Sequence, residues 1–414
     1  MLLDLPPLLR LIGLALLIFA VLQLLVVAIL LRVGQLRKKR VPKSGFRVLG
    51  DDALSVVEVS GSHLRPYMRG GPLYEDMLEA IRGAEREILF ESYIWKEDEL
   101  GQAFKEALEA KARAGVAVFV SYDTLGNLVV PRSFFRFDSA VHVLAYRAWS
   151  RPRDVFLPTR WGRNHRKILV VDRQTAFVGG YNIGATYRDL WRDTHLRIIG
   201  PGARDLAFVF ADFWNARSDP SQPAIAPPKR PWAPRLRVHR NDRQRMMFPI
   251  RSVYVEAIEH AQQRIELTSA YFVPDRSLLA ALQRAARRGV DVRVLVPLES
   301  NHIVADWLSR TMYEGVLGSG IRIFRYAGAM IHAKTCTIDG VWSTVGTANM
   351  DRLSLAGNHE VNVEIFDEEF AAHMSRIFEC DLGNAEELSQ SAWRSRPLLA
   401  RAGEAIIWPL RPLV

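Results

Sequence analysis

The chain has 414 residues, 49% of them hydrophobic and 24% charged, which excludes global disorder and leaves room for two domains of roughly 150–200 residues. The formal net charge is +10, but residues 1–47 hold eight Lys or Arg against one acid, Asp4; that is +7, leaving +3 for residues 48–414. Basicity gathered beside one short segment argues against a nucleic-acid footprint spread over a fold, and two cysteines, Cys336 and Cys380, form neither a disulfide framework nor a zinc-site pattern.

The first element is an apolar run from Leu11 to Leu31, 21 residues whose one strongly polar member is Gln23. As a helix it spans roughly 30 Å, about one bilayer core. A cleaved signal peptide fits poorly. No Lys or Arg precedes Leu8, the run is too long, and it ends in Arg32 and a basic cluster where a small-residue cleavage site would stand. Residues 1–47 therefore read as a membrane anchor with a basic juxtamembrane segment. By the positive-inside rule, the seven basic residues after the span predict a cytoplasmic body, and they favour anionic lipid.

Beyond Gly50, amphipathic helices alternate with apolar strands. A helix near Tyr74–Arg86 leads into a strand at Ile88–Ile94, and a helix at Leu100–Ala114 into Val116–Ser121. The pattern recurs as Ser252–Gln263 into Ile265–Phe272 and Leu278–Arg288 into Val290–Val296. This alternation predicts an α/β fold with helices packed on a mostly parallel sheet. Ala80-Ile81 with Ala84 answers to Ala257-Ile258 with Ala261, so the body reads as an internal duplication with pseudo-twofold symmetry. The expected division is a first lobe at 48–217, a Pro-rich linker at 218–235 with six prolines, a second lobe at 236–390 and a basic amphipathic tail at 391–414. The tail holds four Arg plus Trp408 from Arg394 onward, and one reading lays it on the membrane.

The chemistry lies in a longer repeat. His165, Lys167 and Asp172 form H-x-K-x(4)-D, and so do His332, Lys334 and Asp339. Downstream, Gly179 and Gly346 lie 14 residues after their histidines, Asn182 and Asn349 lie 17 after, and Asp193 and Glu360 lie 28 after. A given residue type falls at a position by chance about one time in ten to twenty. Six matched positions at one offset of 167 are therefore a functional signal, although a lone His or Lys beside a strand is usually structural. Strand parity places each His and Lys on one face, whereas the motif Asp, an odd offset away, faces elsewhere; Asp172 and Asp339 read as supports that fix local structure. The lysines and asparagines suit the oxygens of a five-coordinate phosphorus transition state. One neutral imidazole attacks and the other, protonated, donates to the leaving oxygen. Asp193 and Glu360 each suit a histidine partner that sets tautomer and basicity. The expected site needs no metal or other cofactor.

These motifs resemble the phospholipase D superfamily, and the resemblance runs from about residue 50 to 385. Gly179-Gly-Tyr-Asn182, Trp191-Arg-Asp-Thr-His195, Tyr271-Phe-Val-Pro-Asp275 and Gly346-Thr-Ala-Asn-Met-Asp351 look most like bacterial cardiolipin synthases. Many relatives carry two N-terminal spans; this chain shows one. The resemblance implies phospholipid substrates, phosphatidylglycerol first, a covalent phosphohistidine intermediate and a bacterial cell membrane. It implies His165 as nucleophile and His332 as acid, whereas the residues alone are nearly symmetric. The leading expectation is a phosphatidyltransferase joining two phosphatidylglycerols into cardiolipin and glycerol. The alternatives are a phospholipase D that gives phosphatidic acid, a nuclease of the same superfamily and a non-catalytic scaffold. A stretch of Arg147, Trp149, Arg151, Arg153, Arg160, Trp161 and Arg163 reads either as a lipid-headgroup interface or as an ordinary basic loop.

Overall fold

A computed structural model of the chain describes residues 7–38, 45–50, 53–149, 152–230 and 232–413. Lys39, Arg40 and Lys43 of the juxtamembrane cluster, Arg151, Pro231 and Val414 lie outside the described residues. Two eight-stranded sheets form the body. In the first the order is Val57–Val59, Ser62–Tyr67, His195–Ile199, Thr175–Gly179, Ile168–Val171, Glu87–Ser92, Ala117–Asp123, Val141–Tyr146. In the second it is Leu236–Asn241, Glu360–Phe366, Trp342–Gly346, Lys334–Ile338, Arg264–Ser269, Asp291–Pro297, Arg322–Tyr326, Ala385–Glu387. The shared order from Ser62–Tyr67 and from Leu236–Asn241 onward makes the two lobes copies of one design.

The sheets are mixed, which corrects the expectation of a mostly parallel one. Within these two sheets, parallel pairing is confined to the run Glu87–Ser92, Ala117–Asp123, Val141–Tyr146 and its counterpart. There, helices Glu99–Arg113 and Arg276–Arg287 supply crossovers. Their starts are capped: Asp98 accepts from Gly101 N at 3.0 Å and Asp275 from Ser277 N at 2.9 Å. Leu278, Ala281, Leu282 and Ala285 bury one stripe of the second of these helices. The sheets' other pairings are antiparallel; Val171 and Thr175, for one, are joined by three residues, far too few for a crossover.

The lobes share a core. Val178, Leu196 and Ile198 of the first sheet pack in one cluster with Val345, Val361 and Val363 of the second. The segment after helix Gly202–Arg217 is strapped to that helix: Trp214 Nε1 donates to Pro223 O at 3.0 Å and Asn215 Nδ2 to Ile225 O at 2.8 Å.

The N-terminal helix, Pro7–Lys38, contains one span, Leu17–Leu36, long and apolar enough to cross a membrane. Much of it is exposed, Leu24 to 71%. It is not a free tether, however. Leu30 is buried in the cluster of Ile303, Leu308 and Ile407, and Gln23 Nε2 donates to Ile406 O at 3.0 Å. The span therefore docks on helix Ile303–Gly318 of the second lobe and on helix Leu398–Ile407 of the tail.

Candidate active site

His165 and His332 each lie just ahead of a central strand, Ile168–Val171 and Lys334–Ile338. Each histidine backbone bonds across the lobe boundary: His165 N donates to His359 O at 3.0 Å, and His332 N to Arg192 O at 2.7 Å. The side chains cross as well. His165 Nδ1 lies 3.0 Å from both carboxylate oxygens of Glu360 in the second lobe. His332 Nδ1 lies 2.6 Å from Asp193 Oδ2 in the first. Each lobe thus supplies a histidine and orients the other lobe's histidine, so neither half holds a complete site. The shared offset of 28 residues reveals which acids take part and hides this crossing.

Lys167 Nζ donates to His165 O at 2.6 Å, and Lys334 Nζ donates to His332 O. Both lysines are buried. Burial, then the opposing Lys334 charge against the pull of Glu360, brings Lys167 down to about 7; burial brings Lys334 down to about 8. Burial likewise raises Glu360 to about 8 and Asp193 to about 6. Burial first, and the two lysine charges next, hold both imidazoles well below their ordinary value. The cluster disfavours isolated charges of either sign and favours an anion shared between two ammonium groups.

The remaining motif residues serve different places. Asn182 and Asn349 are buried; Asn182 Oδ1 accepts from Ile94 N at 3.2 Å, while Asn349 Oδ1 has no partner among the described residues. Asp172 lies at the far end of its strand with φ at 52°. Its carboxylate accepts from Glu85 N, Arg86 N and Glu87 N at 2.9, 2.8 and 2.8 Å. Asp339, also at φ 52°, accepts from Gln262 N, Gln263 N and Arg264 N, all at 2.8 Å. Both fasten the turn that opens the neighbouring strand, in a backbone region an Asp tolerates. Against the push of burial, the three donors hold the Asp172 carboxyl below its ordinary value. Gly179 and Gly346 lie where strands approach closely; a Cβ on Gly179 would sit 2.5 Å from Thr194 O.

Other groups complete the site. Tyr93 sets its ring edge-on to His165 at 4.7 Å and lies 5.1 Å from the Lys167 ammonium. Trp191 lies 5.0 Å from the His332 ring, and Tyr271 at 6.2 Å. The Thr347 hydroxyl donates to Glu360 Oε2, whereas Gly180 holds the matching position beside Asp193. Between His165 and Lys167, the buried Arg166 pairs with Glu91 at 2.7 Å and stacks on Phe213 at 4.1 Å. Asn164 Nδ2 donates to the same Glu91 oxygen at 2.6 Å. Glu91 and Arg166 carry no repeat signal, because Thr268 and Ala333 stand in their places in the second lobe. Among the described residues, no three His, Cys, Asp or Glu side chains form a set able to hold a metal ion.

A family model described as "Cardiolipin synthase, PLD-like domain" matches residues 254–382. The chain is 35% identical over 358 residues to "Cardiolipin synthase A" of Pseudomonas fluorescens (strain SBW25), covering 84% of this chain and 74% of that protein. It is 32% identical over 376 residues to "Cardiolipin synthase 1" of Staphylococcus aureus (strain COL), covering 84% and 73%. Among solved structures, phosphatidylserine synthase of Haemophilus influenzae Rd KW20 superposes with a TM-score of 0.65 at 15% identity, covering 87% of this chain and 95% of that one; this likeness is one of fold.

Proposed function

The chain belongs to the bacterial cardiolipin synthase family of the phospholipase D superfamily, and on that premise we propose that it joins two phosphatidylglycerols through His165 and His332. Neutral His165 Nε2 attacks phosphorus of the first phosphatidylglycerol. The bound phosphodiester's negative charge offsets the two lysine charges that, after burial, hold His332 low, so His332 takes up a proton on Nε2. The P–N bond forms as the P–O bond to the headgroup glycerol breaks, and His332 Nε2 gives that proton to the departing oxygen. Free glycerol leaves. His332, now neutral, takes a proton from the headgroup hydroxyl of a second phosphatidylglycerol, whose oxygen attacks phosphorus. Cardiolipin forms and His165 is released.

The observation that carries this reading is the crossed pair of His–carboxylate contacts, at 3.0 and 2.6 Å, beside two buried lysines. Attack on phosphorus builds negative charge on the non-bridging oxygens. Lys167, Lys334, Asn182 and Asn349 stabilise it without reorganising. A carboxylate on Nδ1 leaves the Nε2 lone pair free for attack and supports the imidazolium when Nε2 is protonated. The two carboxylates differ. Asp193, held at about 6, is ionised near neutral pH more readily than Glu360 at about 8. That difference favours His332 as the proton carrier and His165 as the nucleophile.

The substrates argue for a protein at a membrane, to which the span Leu17–Leu36 and the six basic residues after it attach it with the body in the cytoplasm. Purified protein given phosphatidylglycerol alone in mixed micelles should produce cardiolipin and glycerol in equal amounts. Phosphatidic acid as the main product would make it a phospholipase D; cleavage of nucleic acid without lipid turnover would remove the lipid reading.

A further inference from the structure

Two groups of exposed apolar side chains flank the histidines, and each is tied to one of them. On the His165 side, Phe156 is 84% exposed, with Leu157 and Trp161 also exposed. Phe156 ends the first of two short 3-10 turns, Pro152–Phe156 and Pro158–Arg160; Leu157 joins the two and Trp161 follows the second. The segment is fixed beside the site: Tyr146 OH donates to Gly162 O at 2.9 Å, and Arg163 Nη1 to Tyr93 OH at 3.2 Å. Tyr93 is the ring against His165. A second loop ends on the same tyrosine, because Asn127 Nδ2 donates to Tyr93 O at 2.9 Å. The next two residues, Leu128 and Val129, are 74% and 82% exposed. The arginines among these side chains, Arg153, Arg160 and Arg163, are exposed as well.

On the His332 side the apolar material is the span and its partner. Gly34 packs against Ile303. The next residue back, His302, sets its ring 5.4 Å from Tyr271, which abuts His332. Helix Leu398–Ile407, docked on the span, exposes Leu398 to 76% and Leu399 to 88%, and Trp408 follows it.

We propose that these two groups are the two sides of one lipid-docking face, which sets the paired histidines towards the leaflet that the span leaves. Clustered large apolar side chains in an otherwise water-facing loop mark a partner surface. Interleaved arginines select a partner that is apolar beneath and anionic above, which describes an acidic phospholipid leaflet. Continuity with a membrane span on the His332 side identifies the same bilayer. Docked this way, the site receives both lipids from the leaflet without lifting either into water. The inference rests on the phosphatidyl-transfer reading for the identity of the substrate, and on geometry for the docking.

The test uses the full chain in vesicles of phosphatidylglycerol and phosphatidylethanolamine. An environment-sensitive fluorophore is attached to Phe156→Cys in a Cys380→Ser background, and lipids with spin labels shallow in the acyl chain act as quenchers. Blue-shifted, quenched emission is expected, and emission as in water overturns docking at this side. A parallel arm compares Phe156→Ser/Leu157→Ser with wild type on vesicle phosphatidylglycerol and on a short-chain phosphatidylglycerol monomeric in water. Tenfold or greater loss on vesicles is expected, with monomer turnover within twofold and recovery in Phe156→Trp. Equal loss on both substrates, or no loss on either, overturns the proposal. If wild type turns over no phosphatidylglycerol in any form, the transfer reading fails, while quenching still decides the docking.

Discussion

Replacing Glu360 by Gln tests the crossed arrangement with a change of one atom. Both Glu360 oxygens lie 3.0 Å from His165 Nδ1, and Oε2 also accepts the Thr347 hydroxyl. That hydroxyl also lies 3.3 Å from Val361 O. In Glu360→Gln, Thr347 holds the amide oxygen and turns the NH2 towards His165. Nδ1 must then accept, which moves the proton to Nε2, the attacking atom. Above about pH 8, where the Glu360 carboxylate is ionised, losing its charge-assisted bond costs about 1.5–3 kcal/mol; the wrong tautomer brings the fall in kcat at that pH to about a thousandfold. Initial rates of cardiolipin formation in mixed micelles measure it, with KM within a few-fold. A loss smaller than tenfold would refute the crossed pairing as a catalytic device. Stability should move the other way. Burial raises Glu360 from 4.5 to about 8, so the folded protein keeps a proton that the unfolded chain has lost. Its contribution is complete below about pH 4.5 and is lost as pH rises towards 8. Glu360→Gln has no such loss, so its Tm should gain on wild type across that window and keep a constant lead above it.

Other substitutions separate support from chemistry. Glu91→Ala leaves Arg166 buried without its 2.7 Å partner and should cost about 3–5 kcal/mol in urea unfolding, with much of it recovered in Glu91→Leu/Arg166→Met. Asp172→Ala and Asp339→Ala each strip acceptors from three backbone N–H groups; thermal melts should show a loss of about 2–4 kcal/mol, while kcat per folded molecule stays within about threefold. Deleting residues 1–47 uncovers the Ile303, Leu308 and Ile407 surface under Leu30. Much of the truncated protein should leave the membrane, require detergent, and turn over dispersed lipid within a few-fold of the full chain. Insolubility at every detergent level would make the helix part of the core.

The duplicated spacing of His165, Lys167 and Asp172 with His332, Lys334 and Asp339 was readable because the offset of 167 is constant across both motifs. The crossing was not, since His165–Glu360 and Asp193–His332 join residues 195 and 139 apart and a linear repeat carries no information about which copy meets which. Tyr93, and the place of Tyr271 beside His332, were hidden for a related reason. The two tyrosines follow Ser92 and Ser269 by one and two residues, so the copies place their aromatic rings at unmatched positions. Helix and strand alternation described the parallel half of each sheet. The hairpins after Val171 and Ile338 went unread, although each opens on an Asp at positive φ, a turn signal lying inside the motif itself. Hydropathy marked the apolar helix, at Leu11–Leu31 where the candidate span is Leu17–Leu36, but its period does not show that Gln23, Leu30 and Gly34 face the second lobe and the helix beyond it.

The central claim is that one lobe's histidine holds the phosphatidyl group while the other's moves the proton. Phosphatidylglycerol labelled in its phosphatidyl part, mixed with wild type, His165→Ala and His332→Ala and quenched rapidly under denaturing conditions, tests it directly. Labelled protein is expected in wild type and, with greater accumulation, in His332→Ala, which attacks but deprotonates no acceptor. None is expected in His165→Ala. Label retained on His165→Ala and absent from His332→Ala would reverse the roles, and label on none of the three would contradict the covalent mechanism.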